Sequence, residues 1–244
     1  MRWLRFREFG PVFRVCPLLS SGSKPPSPAS TRSAGKSAPG GDALRVTNDL
    51  AAEGQVVWAP DGRTLYFERS EISGGIGVLA IGGEAKMLVE WPGYTVVNGQ
   101  AVVSLDEKTV LFPGTRGGNF DIWSVPLSGG EATPFAASPL EDFDPTFSPD
   151  GSQVLFTSNR GGSNDVWVMP AAGGEARKLT EWPNNESRAR WSPDGSQVVF
   201  TSDRESAQAD LWVVPAAGGA PRRLTSFNQT MGPAAAWSPD GSRV

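Results

Sequence analysis

The stretch FSPDGSQVLFTSNRGGSNDVWVMPAAGGEARKLT, residues 147–180, decides the fold of this chain. Val154 to Ser158 and Asp165 to Met169 are predicted strands, because they are rich in β-branched and aromatic residues. Pro149-Asp150-Gly151 predicts a tight turn, because Pro presets φ, Asp bonds the local backbone and Gly takes the left-handed position. Two further turns are predicted at 160–164 and 173–174. With one strand ending at Phe147 and another over Ala176 to Thr180, the stretch predicts a four-stranded antiparallel meander.

The same unit recurs along most of the chain. Equivalent phenylalanines, Phe67, Phe112, Phe156 and Phe200, follow one another at intervals of 45, 44 and 44 residues. Self-similarity at this period, with four strands per repeat, predicts an all-β fold, the β-propeller. The predicted blades are approximately 58–89, 103–136, 147–180 and 191–225, with the start of another at 237.

The repeat resembles a known family. SPDG, an apolar strand, SNRGG, Asp-x-Trp, a Gly-Gly turn and RKLT together resemble the repeats of bacterial TolB-type propellers. The resemblance covers 42–244 and implies a propeller of about six blades in the full protein. It also implies a noncatalytic scaffold for protein or glycan binding in the cell envelope or periplasm. The same repeat resembles the propeller in front of prolyl oligopeptidase-family hydrolases.

The first 41 residues do not follow the repeat. They are basic and rich in Ser and Pro, which predicts a disordered tail or linker. Arg14 breaks the apolar run Pro11 to Leu19, which is not typical of a signal peptide, so a cytoplasmic location stays open. Residues 43–48, ALRVTN, align with fourth strands and are predicted to close the ring from outside. Because Val244 falls within a predicted strand, we expect the sequence to be a fragment with an incomplete ring.

Charge and composition narrow the partners. Residues 1–41 carry a net charge of +6, whereas 42–244 carry −10. An acidic propeller repels phosphate backbones, so nucleic acid is not an expected partner. Cys16 is the single cysteine, so no disulfide can form within the chain. No transmembrane segment is predicted.

Enzymatic chemistry finds little support in these residues. The chain has no histidine and no G-x-S-x-G elbow, so a Ser-His-Asp triad cannot be completed within it. Glu141, Asp142 and Asp144 could hold a hard cation, but their spacing is more typical of a solvated loop. No metal, cofactor or catalytic residue is predicted.

A binding surface is predicted on one rim of the ring. The Pro-Asp-Gly and Gly-Gly turns share a uniform rim, whereas the loops between second and third strands and the blade connections vary on the other. The charged residues predicted on the variable rim are the candidates for binding: Arg116, Arg160, Arg204, Asp142, Asp144, Arg188 and Arg190. The alternative for the three repeat-equivalent arginines, Arg116, Arg160 and Arg204, is a local bond to the Asp of Asp-x-Trp. Likewise, Trp123, Trp167 and Trp212 are predicted to pack between blades, with a ligand-binding ring as the alternative.

Three functions stay open at this point. The first is a noncatalytic scaffold that binds a protein, peptide or glycan on the variable rim. The second is the gating propeller of a prolyl oligopeptidase-like serine hydrolase, and the third is a sensor propeller attached to a kinase or another regulatory domain.

Overall fold

The computed structural model describes residues 52–59, 61, 63–70, 73–80, 86–92, 101–115, 118–205, 209–226 and 235–244. The predicted tail at 1–41 and the predicted closing strand at 43–48 lie outside these residues. The described part is built of strands and contains no helix, and hence none long and apolar enough to cross a bilayer. The strands are β1 (Ala52–Trp58), β2 (Thr64–Ser70), β3 (Ser73–Ala80), β4 (Lys86–Pro92), β5 (Val102–Val103), β6 (Thr109–Thr115), β7 (Phe120–Pro126), β8 (Thr133–Ala136), β9 (Asp142–Phe147), β10 (Gln153–Ser158), β11 (Asp165–Pro170), β12 (Arg177–Lys178), β13 (Glu186–Trp191), β14 (Gln197–Ser202), β15 (Asp210–Pro215) and β16 (Arg222–Arg223).

Consecutive strands form four separate antiparallel sheets of four strands each, which confirms the predicted meander. We name the sheets blades 1 to 4, made of β1–β4, β5–β8, β9–β12 and β13–β16. The register repeats in blades 2 to 4, where a phenylalanine on the second strand faces a tryptophan on the third. These pairs are Phe112 with Trp123, Phe156 with Trp167 and Phe200 with Trp212.

The core lies between blades. Three clusters of buried apolar side chains join blade 1 to 2, blade 2 to 3 and blade 3 to 4. Phe112, Phe156 and Phe200 are fully buried, as expected for sheets covered on both faces. Trp123 and Trp212 belong to these clusters and Trp167 packs against one, which confirms the predicted inter-blade packing.

The first strands of successive blades contact one another and so define the inner side of the ring. Trp191 on β13 donates its indole N–H to the carbonyl of Thr146 on β9, at 3.3 Å. Trp237 repeats this contact with the carbonyl of Arg190, at 3.2 Å. Each tryptophan therefore satisfies an acceptor on the inner edge of the preceding blade.

The predicted boundaries of the first strands were wrong. Asp142 and Asp144 lie on β9, and Glu186, Arg188 and Arg190 lie on β13, rather than in the blade connections. The strands begin earlier than predicted because Asp142 pairs with Ser158 and Glu186 with Ser202, the last residues of the neighbouring strands. These five residues therefore belong to the inner strands of blades 3 and 4.

The short turns form a uniform rim, made of 104–107, 148–151 and 192–195 between first and second strands and of 127–130, 171–174 and 216–219 between third and fourth strands. In the turn at 148–151, the Asp150 carboxylate accepts hydrogen bonds from Ser148 and Ser152. The Ser148 hydroxyl and the Ser152 backbone hold the pKa of Asp150 at about 2. The same serines and aspartate recur at 192–196 and 238–242, so the repeated motif has a structural role.

Blade 2 departs from this turn at Glu107. Glu107 has a φ of 55°, at the position where the equivalent turns have Gly151 and Gly195. A left-handed conformation strains a residue that carries a Cβ. We expect Glu107→Gly to raise the free energy of unfolding by roughly 0.5 to 1 kcal/mol, measured in urea, after allowing for the greater freedom of glycine in the unfolded chain.

The matched control for this prediction is Gly195→Ala. The added Cβ would meet Pro149 Cδ at an ordinary 3.6 Å, so only the strain of a φ of 71° remains. This variant is expected to lose about 1 kcal/mol. A destabilised Glu107→Gly beside an unaffected Gly195→Ala would contradict the account.

Candidate functional site

The variable rim comprises the connections 137–141 and 181–185 and the loops 159–164 and 203–205, as far as the structure describes them. Side chains of the loops between second and third strands form hydrogen bonds to the backbone of the blade connections. Asn119 donates to the carbonyls of Ser138 and Leu140, at 2.9 and 2.8 Å. Asn159 Oδ1 accepts from the Glu141 backbone at 2.8 Å, and Asp203 does the same for Asn185 at 2.8 Å. The rim is therefore a braced surface rather than a set of independent loops.

The most distinctive feature inside this rim is a charge cluster that joins blades 3 and 4. Arg190 on β13 donates from Nη1 and Nη2 to the two carboxylate oxygens of Asp144 on β9, at 3.3 and 3.2 Å. The Arg188 backbone adds a hydrogen bond to the same carboxylate. Burial raises the pKa of Asp144, and the Arg190 guanidinium opposes that rise. We name Asp144, Arg188 and Arg190 the inner charge cluster.

The backbone of this cluster is irregular. Asp144 and Arg188 occupy equivalent positions 44 residues apart, with φ values of 57° and 55°. The register shifts beside both residues, between Leu155 and Thr157 on the partner of β9 and between Ser187 and Arg190 on β13. Such bulges redirect side chains, and strained non-glycine residues are concentrated at functional sites. Arg188 is exposed, whereas Asp144 is buried, so the cluster presents a cation to solvent above a buried carboxylate.

Two loop arginines are held by their own blades. Arg160 donates from Nη2 to buried Asp142 at 2.7 Å, and its guanidinium lies 5.2 Å from the Trp167 ring. The Arg204 guanidinium carbon lies 4.5 Å from the centre of the Trp182 ring and 4.7 Å from the centre of the Trp212 ring. The predicted bond of Arg160 to the Asp of Asp-x-Trp is wrong, because Arg160 pairs with Asp142 and Asp165 pairs with Lys178. Arg116 lies outside the described residues.

A cation on the fourth strand explains why Arg160 pairs with Asp142 and not with Asp165 of Asp-x-Trp. Lys178 binds Asp165 at 2.8 Å, and Arg223 on β16 binds Asp210. A cation two positions before the repeated Thr of RKLT or RRLT thus already neutralises the Asp of Asp-x-Trp. In blade 3 the loop arginine, Arg160, binds the acidic residue that opens the first strand instead.

Glu186, the first residue of β13, is fully buried. Ser202 donates to its Oε1 at 2.8 Å, but Oε2 accepts no hydrogen bond from the described residues. Burial raises the pKa of Glu186 to about 7, and the charges of Asp165 and Asp203 add to the rise. At the equivalent position in blade 3, Asp142 binds Arg160, whereas Arg204 is turned toward the two tryptophans. The signal available in the sequence was an acidic residue at the equivalent position of two repeats, Asp142 and Glu186.

Metal chemistry has no assembled site in the described part of the chain. No group of three or more His, Cys, Asp or Glu side chains there is arranged to hold a metal ion. Asp142 is engaged by Arg160, Asp144 by Arg190, and Glu141 is exposed on the connection. The three acidic residues considered for a cation therefore do not converge.

Comparison with known proteins shows which proteins this architecture is similar to. The profile of the Tricorn protease N-terminal β-propeller domain matches residues 103–210. TolB from Acinetobacter baumannii superimposes with a TM-score of 0.67 and 22% identity, over 80% of this chain and 48% of that one. A protein from Agrobacterium tumefaciens assigned to TolB gives 0.64 and 23%, over 80% and 74%. A structure from a study of two prolyl endopeptidases gives 0.55 and 16%, over 73% and 29%. No curated protein matches the chain.

The chain therefore has the fold of a TolB-like β-propeller, which confirms the predicted class. It spans about half the length of the Acinetobacter baumannii protein. The prolyl endopeptidase propeller shares the same architecture, so the fold by itself is compatible with more than one function.

Proposed function

We propose that this chain is a noncatalytic binding propeller that captures a protein partner, or a peptide or glycan ligand, on the variable rim. The observation that carries the proposal is the inner charge cluster. It combines an exposed arginine, a strained backbone and a partly buried inter-blade ion pair on the inner strands. Convergent polar groups in a concave surface are the usual form of a binding site.

Within this surface the candidate residues have different tasks. Arg188 is exposed and is proposed to contact the ligand. Arg190 and Asp144 hold β13 against β9 and so position Arg188. Arg160, Asp142 and Arg204 hold the rim in place through their own contacts, and Arg116 remains a candidate from the sequence alone.

The likeness to TolB supports a location in the bacterial cell envelope, and we propose the periplasm as the place of action. The bound partner there would present a carboxylate or another anionic group to Arg188, since charge complementarity guides recognition.

A second function is favoured by the likeness to prolyl endopeptidase and Tricorn protease propellers. In that case the ring would gate access to a serine hydrolase domain. This chain supplies no histidine, so the purified polypeptide is expected to cleave no prolyl peptide substrate. Release of a chromophore from such a substrate by the pure chain would contradict the noncatalytic assignment.

The direct experiment uses the chain as bait with two charge-reversal variants. Arg188→Asp reverses the exposed charge, and Asp tolerates the left-handed backbone better than most residues. Glu175→Lys reverses an exposed charge on the opposite rim. A partner retained by the unaltered chain should be recovered with Glu175→Lys, but about tenfold less with Arg188→Asp.

Glu175→Lys should melt within about 2 °C of the parent, as expected for an exposed surface site, and Arg188→Asp should remain folded at the temperature of the assay. Equal recovery with Arg188→Asp, or loss with Glu175→Lys, would place the binding surface elsewhere.

A further inference from the structure

A groove of about 650 Å³ opens between blades 2 and 3 on the short-turn rim, opposite the inner charge cluster. One wall is Leu105, Leu111, Thr133 and Phe135 of blade 2, and the other is Phe147 and the Ala171–Gly173 turn of blade 3. Leu105 is 55% exposed, which is unusual for a large apolar side chain in this chain. The groove therefore has apolar walls that are open to solvent.

At the neighbouring interface, an exposed arginine bridges the two blades at the equivalent position. Between blades 3 and 4, Arg177 on β12 donates from Nη2 to the carbonyl of Ala216, at 3.0 Å. Thr133 is the blade 2 equivalent of Arg177, because Pro134 faces Trp123 as Lys178 faces Trp167. Ala171 follows Pro170 as Ala216 follows Pro215 and is the equivalent acceptor residue. A threonine in place of the arginine leaves the equivalent space open in the groove.

Two further departures from the repeat change the walls of the same gap. Phe147 stands where blade 4 has Trp191, and a phenyl ring is smaller than an indole. Leu105 stands where blade 3 has Pro149, and it contributes an apolar side chain beside Gly151, whose added Cβ would meet Leu105 Cβ at 3.3 Å. All three departures lie at the interface between blades 2 and 3, where the groove opens.

The charge at the mouth of the groove is negative. Asp106 and Asp150 line it, and hydrogen bonds from their own turns, led by Ser104 and Ser148, lower the pKa of both carboxyls. Lys108 is exposed beside Asp106, with Nζ 3.6 Å from Oδ2, and offsets part of this charge. A guanidinium can hydrogen bond to a carbonyl and pair with carboxylates, while its methylene stem packs on apolar walls.

We propose that this groove binds an arginine side chain of a partner protein segment, which takes the place that Arg177 fills at the next interface. The segment would be basic and would carry an apolar side chain next to the arginine, for contact with Leu105 and Phe147. This is a second binding surface, on the rim opposite the one proposed above.

The test uses the full chain and a fluorescein-labelled peptide, Gly-Leu-Arg-Leu-Gly, with citrulline and lysine versions as probes. Citrulline keeps the shape of arginine and removes its charge. Fluorescence anisotropy is expected to show saturable binding of the arginine peptide and about tenfold weaker binding of the citrulline peptide. Equal binding of the two peptides, or no saturable binding of the arginine peptide, would overturn the proposal.

Variants locate the binding. Thr133→Arg restores the arginine of the repeat and is expected to abolish binding, whereas the near-isosteric Thr133→Val should retain it. Arg188→Asp on the opposite rim should leave it unchanged. Should Thr133→Arg fail to fold, amide shifts of Gly151 and Gly173 on addition of the arginine peptide to the parent chain decide the question. Shifts confined to the variable rim would overturn the proposal.

Discussion

Replacing Arg190 with methionine is expected to lower the free energy of unfolding by about 3 kcal/mol, because the buried Asp144 carboxylate loses its partner. The side chain of Asp144 is 9% exposed and that of Arg190 is 31% exposed, so solvent can compensate only in part. Methionine keeps much of the apolar stem, so the loss reports on charge rather than on packing. Urea denaturation at pH 7 measures it.

The double variant Asp144→Asn with Arg190→Met separates the cost of the unpaired Asp144 charge from the cost of losing the arginine side chain. Asparagine removes the stranded charge and tolerates the left-handed φ of residue 144. The double variant should therefore be more stable than Arg190→Met alone by at least about 1 kcal/mol. Arg222→Met, at an exposed arginine on β16, is the matched control and should change stability little. An Arg190→Met protein as stable as Arg222→Met would show that the ion pair does not hold the blades together.

The substitution Glu186→Gln is expected to stabilise the protein at alkaline pH. The folded pKa of Glu186 is about 7, against an ordinary value of 4.5. Between these two values the folded state binds more protons than the unfolded state, so the stability of the parent falls as pH rises. Above pH 7 the penalty is complete, at about 3 kcal/mol, and glutamine does not incur it. Below about pH 4.5 both states are protonated, and the two proteins should be equally stable in this respect.

Asp142→Asn is the control for this prediction, because Asp142 occupies the equivalent position in blade 3. Its carboxylate binds Arg160 at 2.7 Å, so its loss should destabilise the protein at neutral pH, by roughly 1 to 3 kcal/mol. Thermal unfolding at pH 8 is thus expected to show that Glu186→Gln stabilises the protein and that Asp142→Asn destabilises it. A stability difference between Glu186→Gln and the parent that does not change from pH 4 to pH 8 would refute the buried-carboxylate account.

The strands, turns and inter-blade tryptophans were predictable, since each depends on neighbours close in the sequence. Pro149-Asp150-Gly151 encodes its own turn, and Phe156 and Trp167 belong to adjacent strands of one hairpin. Because the same local pattern recurs every 44 or 45 residues, it predicts a repeated blade and hence a propeller.

The candidate site was only partly predictable. Arg188 and Arg190 could be singled out for charge, but the bond from Arg190 to Asp144 joins residues 46 apart on different blades. It depends on a register shift and on a left-handed Arg188, which no local preference indicates. The groove between blades 2 and 3 could have been found from the repeat, because Thr133 breaks a position occupied by Arg177 and Arg222.

The central claim is that the variable rim, around the inner charge cluster, is the binding face. Hydrogen–deuterium exchange of the chain, with and without the partner recovered by the bait experiment, tests it most directly. The account predicts slower exchange on binding in peptides covering 137–144 and 181–190, with little change at 148–153 and 171–175. Protection confined to 148–153 and 171–175 would contradict it and would move the function to the groove between blades 2 and 3.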